Sequence, residues 1–199
     1  MRFTTEHDAI AYIFSTRDRI NSPLRGLDED VRDPSVTRRM IMRANLALES
    51  REYVTITGSK GKGSTAALCA KLLQHLGHTV GMLTSPHLIN WYERIRVNGR
   101  SIPQADFLRI LSDLSPVIDA EAAHLEPHQY ISPQGILVLV ARRAFDEQRV
   151  MDRATGENRA DGAATIGLHD VGGDAGVVHE HGGGAADQCL DLVHRLEEV

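Results

Sequence analysis

The stretch from Tyr53 to Thr65, Y-V-T-I-T-G-S-K-G-K-G-S-T, constrains this chain more than any other. A β-branched run, Val54 to Thr57, suits a buried strand. It breaks into glycines at Gly58, Gly61 and Gly63, and an apolar helical pattern follows on Ala66, Leu68, Ala70, Leu72, Leu73 and Leu76. Strand, glycine loop and helix in that order is the context in which a glycine pattern reads as a phosphate site. Glycine lets the backbone take positive φ and lie close to a ligand. Successive N–H groups can then point into one concavity, and the start of the helix adds a partial positive charge. Lys62 is placed to reach β- and γ-phosphates, and Ser64 and Thr65 offer hydroxyls to a phosphate or to Mg2+. The spacing is G-x-x-G-K-G-S, shorter than G-x-x-x-x-G-K-[ST], because Ile56 stands where the longer pattern has its first glycine. The competing reading is a plain glycine-rich turn between strand and helix. Lys62 and the two hydroxyls, standing where phosphate binding needs them, argue against it.

The 199 residues suffice for one domain or one and a half small ones. A hydrophobic content of 42% and a charged content of 25% are those of an ordinary globular chain. The net charge of −5 leaves no basic nucleic-acid footprint. Cys69 and Cys189 lie far apart, and Cys69 falls on a helix face expected to be buried, which fits reduced thiols in the cytoplasm. No apolar run reaches the ~18 residues of a membrane span, and the first residues lack the apolar centre of a signal peptide. The average hides a split. Residues 151–199 hold three Lys or Arg against ten Asp or Glu, nine of the 17 glycines and no aromatic residue.

Taken in order, Thr4–Arg19 reads as a helix capped by Thr4 or Thr5, with Ile10, Ile13 and Phe14 buried. Residues 21–33 read as loop. Asp33-Pro34-Ser35 starts a second helix to about Glu49, with Val36, Met40, Ile41 and Leu46 as core and Arg38, Arg39 and Arg43 as a solvated face. The helix after the glycine loop ends at Gly77, a natural cap. His78–Thr84 reads as a second strand, so residues 53–84 form a βαβ unit and imply a parallel sheet. Ser85–Trp91 is then a loop at the C-terminal edge of the sheet, where ligands bind in open α/β folds. Ser85 and His87 thus face either a nucleotide and its metal or solvent. Trp91–Ile102 alternates and turns at Asn98-Gly99, a hairpin. Pro103 to about Ala122 is a helix with Phe107, Ile110, Leu111 and Leu114 on one face, kinked or ended at Pro116. Ser132-Pro133 opens a last helix to about Glu147 on Ile136, Leu137, Leu139, Val140 and Phe145.

Three segments in this order, G-S-K-G-K-G-S-T at 58–65, T-S-P-H-L at 84–88 and E-R-I-R-V-N-G at 93–99, resemble the folylpolyglutamate synthase / dihydrofolate synthase family of the Mur ligase superfamily. The resemblance covers about residues 1–150, with Ser59 and Lys60 as variants of the usual first motif. It implies the central ATPase domain of a Mur ligase, an α/β fold with an incomplete P-loop-type parallel sheet flanked by helices. It implies an ATP-dependent ligase, cytoplasmic, that uses Mg2+ and adds glutamate to the carboxylate of a folate or dihydropteroate through an acyl phosphate. Neither nucleic acid nor membrane is an implied partner. On this resemblance Gly58, Ser59, Lys60, Gly61, Lys62, Gly63, Ser64 and Thr65 bind ATP, with Lys62 also catalytic. Ser85 and Ser64 help hold Mg2+. Pro86, His87 and Leu88 border the folate pocket, and Gly26, Leu27 and Asp28 are similar to a pterin-side segment.

The family pattern would continue past residue 150 with a strand ending in glutamate and then G-x-G-G-R-x-D. Neither can be located in the sequence after Val150. Three readings of 151–199 stand side by side: a shifted reading frame, a divergent flexible tail rich in Gly and Asp, and a metal-binding segment on His169, Asp170, Asp174, His179, Glu180 and His181. Residues 185–198 carry a possible amphipathic helix on Cys189, Leu190, Val193 and Leu196. A sheet cut after two or three strands would leave a bare edge, so low stability and weak turnover are expected. Two further functions compete: a nucleotide-binding module without catalysis, and a Mur-type ligase with a non-folate acceptor, against which T-S-P-H-L argues.

Overall fold

The expected strand before the glycines forms as β1 (Glu52–Thr57), and the apolar pattern after them forms α3 (Lys62–His75). The computed structural model describes residues 1–17, 34–46, 52–57, 60–126, 129–154, 163–168 and 176–179. These divide into a helical unit, Met1–Ala47 with Pro103–Asp146, and a sheet unit, Leu48–Ile102 with Glu147–Val199.

In the helical unit, α1 (Glu6–Phe14) starts at Thr5, whose Oγ1 accepts the Asp8 N–H at 3.1 Å, an N-cap bond. Ala9 and Ile13 are buried, whereas Ile10 and Phe14 are only partly so. The second helix, α2 (Pro34–Arg43), is shorter than its pattern suggests. Asn45 takes φ 51°, and Leu46 N–H bonds to Ile41 O while Asn45 N–H bonds to Met42 O. That pair of bonds is a Schellman motif, which ends the helix before Glu49. Val36, Met40, Ile41 and Leu46 are buried as expected.

The long helix α4 (Gln104–Ala122) packs against α1 and α2 and runs straight through Pro116. Proline there removes the N–H that would have met the Ser112 carbonyl. The Ser115 hydroxyl donates to that carbonyl instead, at 2.9 Å, so the helix continues where a kink or end was expected. Ser112 Oγ in turn accepts the Arg2 and Phe3 N–H groups and pins the N-terminus. Arg39 and Arg43 are not a purely solvated face. Arg39 Nε at 2.6 Å and Arg43 Nη1 at 2.7 Å hold the two oxygens of Glu121, which is 1% exposed. A buried carboxylate persists only when both oxygens are met in this way. The last helix, α5 (Pro133–Ala154), buries Ile136, Leu137, Leu139, Val140 and Phe145. Gly135 lies so near Thr37 of α2 that a side chain there would collide with its hydroxyl.

The sheet unit differs from the expected parallel sheet. Its order is β4-β3-β2-β5-β1-β6, with β2 (Thr79–Leu83), β3 (Ile95–Val97), β4 (Arg100–Ser101), β5 (Ala163–Leu168) and β6 (Gly176–His179). Three strands, β2, β5 and β1, run parallel, while β3, β4 and β6 pair antiparallel at the two sides. Among the described residues the sheet is therefore mixed and has six strands, not two or three. A strand that the sequence pattern did not suggest, β5, is seated between β1 and β2, with Ile166 in register with both Val54 and Met82; its A-A-T-I-G-L is not the glutamate-ending strand of the family pattern. The turn between β3 and β4 is Asn98-Gly99, at φ 47° and 76°, the left-handed pair a tight hairpin demands. Asn98 also pairs back to β2, accepting the Val80 N–H through its side chain and donating its own N–H to Val80 O, both at 2.8 Å.

α3 covers one face of this sheet. Ala66, Cys69, Ala70 and Leu73 meet Val54, Ile56, Val80 and Met82 in one buried cluster. Leu68 and Leu76, expected in that stripe, are 58% and 51% exposed. They sit on the flank of the helix, because the face meeting the sheet follows 66, 69, 70 and 73. A Schellman bond pair closes α3, Gly77 N–H to Gln74 O and His78 N–H to Leu73 O, with Gly77 at φ 90°. No described helix is long and apolar enough to cross a membrane.

Candidate functional site

Strands β1 and β2 run the same way on either side of β5, so the loops that leave their C-terminal ends share one edge. The first is the glycine loop. Gly58 and Ser59 lie outside the described residues, as do Gly26, Leu27 and Asp28. From Lys60 onward the geometry is defined. Gly61 is the N-cap of α3 at φ 74°, a left-handed conformation that glycine takes without strain. Lys62, Gly63 and Ser64 are the first three helical residues, and the first return bond of the helix is Thr65 N–H to Gly61 O at 2.9 Å.

Two features of this helix start stand out physically. Gly61 supplies no side-chain cap, and the first turn holds no acidic residue, whereas Lys60 and Lys62 flank it. A helix N-terminus carries partial positive charge and ordinarily gathers acids. This one gathers cations, the opposite of what its own dipole favours, and an arrangement an anion would relieve. Gly63 has ordinary helical backbone, and a Cβ built on it meets nothing within 4 Å. Among the described residues neither conformation nor packing requires a glycine there, and the open space suits a ligand that approaches the backbone closely. Lys60, Gly61, Gly63 and Ser64 are exposed, and Lys62 and Thr65 partly buried.

The second loop, Thr84–Asn90, carries Ser85, Pro86, His87 and Leu88, with a cis peptide between Ser85 and Pro86. Ser85 and Pro86 are exposed, and His87 is partly buried. The sequence pattern suggested a strand from Trp91, but Trp91–Arg94 forms a turn of 3-10 helix. Asn90 and Glu93 make a capping box on it. The Glu93 carboxylate accepts the N–H groups of Leu88, Ile89 and Asn90, each at 3.3 Å. Loss of solvation pushes its carboxyl up, but those three N–H groups together with the Arg96 charge outweigh it and leave it below the usual carboxylate range. Arg94 Nε donates to His87 Nδ1 at 3.0 Å, and both side chains lie against Trp91. Burial holds Arg94 below its usual value.

These residues bring together a prospective anion site and a braced loop on one sheet edge. The sequence singled out Ser85 and His87 in this loop but not Glu93, Arg94 and Trp91, which brace it. The signal for Glu93 was present, since N-x-x-E at 90–93 is a capping box in the sequence itself. A glycine-capped helix start between Lys60 and Lys62 is chemically suited to an anionic group. Ser64 and Ser85 are exposed residues whose hydroxyls could serve a cation, and among the described residues no group of three His, Cys, Asp or Glu is gathered for a metal.

No protein-family model matches the chain. Curated relatives do. Over 133 residues, 67% of this chain, it is 31% identical to a "Probable bifunctional folylpolyglutamate synthase/dihydropteroate synthase" of Haloferax volcanii and covers 15% of that protein. Over 73 residues, 37% of this chain, it is 47% identical to a dihydrofolate synthase/folylpolyglutamate synthase of Buchnera aphidicola subsp. Schizaphis graminum and covers 16% of it. The fold is similar to that of a Mycobacterium tuberculosis folylpolyglutamate synthase crystallised with ADP and AMPPCP. There the TM-score is 0.58 at 20% identity, over 80% of this chain and 32% of that one. The chain thus spans about a sixth of the length of these curated relatives and about a third of that solved structure.

Proposed function

Because the chain resembles the N-terminal part of the folylpolyglutamate synthase / dihydrofolate synthase family, we propose that it carries the nucleotide-binding part of an ATP-dependent amide ligase. The acceptor is the carboxylate of a folate or dihydropteroate, and the incoming amine is that of glutamate. The observation that carries this reading is the helix start at Gly61–Ser64, uncapped, flanked by lysines and open above Gly63.

A carboxylate is a poor electrophile until an oxygen leaves with phosphate. In the proposed reaction the acceptor carboxylate attacks the γ-phosphorus and ADP leaves. The glutamate amine then attacks the acyl carbon, inorganic phosphate leaves, and the amine loses its proton. The backbone N–H groups at Gly63 and Ser64 and the Lys62 ammonium meet the negative charge that crowds the γ-phosphate. Mg2+, held through the Ser64 and Ser85 hydroxyls and the phosphates, would supply further charge neutralisation. Pro86, His87 and Leu88 border the acceptor. We assign no nucleic-acid or membrane partner and place the protein in the cytoplasm.

The short span relative to the relatives favours a second reading, a nucleotide-binding module whose own turnover is weak or absent. Glutamate-dependent release of ADP from ATP in the presence of dihydropteroate or folate separates the two. The ligase reading requires release that depends on glutamate and disappears in Lys62→Ala. ATP binding without such release selects the module.

A further inference from the structure

The second loop holds a histidine whose proton has been placed by its neighbours. Arg94 Nε lies 3.0 Å from His87 Nδ1. A guanidinium N–H only donates, so Nδ1 is the bare accepting nitrogen and the neutral ring carries its hydrogen on Nε2. Trp91 fixes both partners: the Arg94 guanidinium carbon is 4.1 Å from the indole centroid, and the imidazole centroid is 4.6 Å from it at 41°. Arginine stays charged in proteins, so this donor is permanent. Among the described residues no hydrogen bond uses Nε2. Directly after His87, Leu88 and Ile89 are 91% and 80% exposed while Glu93 holds their N–H groups. The backbone is set, two large apolar side chains face outward, and a donor of fixed position stands beside them.

The geometry points to His87 Nε2–H as a hydrogen-bond donor to an anionic oxygen of a bound small molecule whose apolar body covers Leu88 and Ile89, with Arg94 as the positioning residue that fixes the tautomer. The class of ligand is an amphipathic organic anion. For the ligand this rests on the amide-ligase reading above; the tautomer does not depend on it.

Nitrogen-15 spectra of the histidine rings in the full 199-residue chain, recorded where imidazoles are neutral, test both parts. The expected result is a single Nε2–H form of His87 with the Nδ1 resonance of a hydrogen-bonded bare nitrogen. In Arg94→Met that resonance moves to the unbonded position, and Arg94→Lys, which keeps a donor, restores part of the shift. An Nδ1–H ring in the unmodified chain overturns the assignment. So does an Nδ1 resonance unmoved in Arg94→Met while the other histidine signals keep their native positions. If Arg94→Met does not fold, the unmodified chain and Arg94→Lys decide. The ligand is probed with dihydropteroate and, separately, with AMPPCP. A shift of the Nε2–H signal with the first alone assigns the partner oxygen to the carboxylic acid, and with the second alone to the nucleotide. His87→Ala then weakens binding of that compound about tenfold, the loss of one hydrogen bond to a charged oxygen. An Nε2–H signal unmoved by a compound that binds overturns the donor role. If neither compound binds, the ligase reading and the donor role fall together, and the spectrum alone decides the placement by Arg94.

Discussion

Two loops leave the same edge of the sheet, and they are built on opposite principles. The loop at 84–90 is finished by its own chain. Glu93 takes its N–H groups, Asn90 and Glu93 cap the turn below it, and Arg94 and Trp91 hold its histidine. The start of α3 has no comparable finish: a glycine cap, no acidic residue in the first turn, lysines where the dipole prefers carboxylates, and open space above Gly63. A surface whose shape must not change can be locked by side chains. A surface that receives a charged ligand gains more by leaving its donors for that ligand, because pre-satisfied N–H groups would have to be uncovered first.

This contrast can be broken at several points. The largest effect is expected at Lys62. Lys62→Ala should weaken ATP binding by roughly 10- to 100-fold, the range of a lost hydrogen bond to a charged group, with the folded chain intact. Calorimetric titration checks it, and an unchanged affinity removes the glycine loop from the site. Gly61→Ala comes next, since its cap conformation at φ 74° costs a residue with a Cβ about 1–2 kcal/mol. Thermal unfolding should register that loss without any nucleotide present. Gly63→Ala makes the comparison sharper because its two effects have opposite signs. With ordinary backbone and open space, the substitution should raise stability by about 0.4–1 kcal/mol. Nucleotide affinity should fall, roughly tenfold if one charge-assisted bond is lost. If affinity holds, the space above Gly63 has no ligand in it.

The smallest effect belongs to the braced loop. The Glu93 carboxyl lies below its ordinary range, so the folded chain binds its proton less readily than the unfolded one. Its bracing is complete above the ordinary carboxylate value, about pH 4.3, and is lost as pH falls through the lower folded value. Amide signals of Leu88, Ile89 and Asn90 followed into acid should move together there. In Glu93→Gln that acid transition should vanish, and three amides titrating independently would show that Glu93 does not brace them.

Much of this was legible in the sequence because its causes are local. The β-branched run of β1, the glycines and Asn98-Gly99 each carry their own backbone demand. Pro116 misled because its compensation, a hydroxyl one residue earlier, is equally local but rarely decisive. Leu68 and Leu76 misled because apolar spacing names a helix face before it says where that face ends. The strand Ala163–Leu168 stayed hidden for a different reason. A-A-T-I-G-L has one β-branched pair and two small residues at its start, so its place is decided by the strands on either side rather than by its own preference. For the site, the glycine loop and the T-S-P-H-L segment were readable, whereas the hold of Arg94 on His87 depends on a turn at Trp91–Arg94 that the pattern had assigned to a strand.

The seat of β5 also sets an order of events on the ribosome. β2 ends at Leu83 and its neighbour begins at Ala163, some 80 residues later. At ~5–20 residues per second, β1 and β2 would wait roughly 4–16 s with the slot between them empty. The helical unit closes at Asp146, before that strand has been made. Chains ending near residue 150 and released from the ribosome, so that their last helix is free to pack, should therefore protect the helices from protease and leave β1 and β2 cleavable. Equal protection of both would mean that the sheet can hold itself together without its middle.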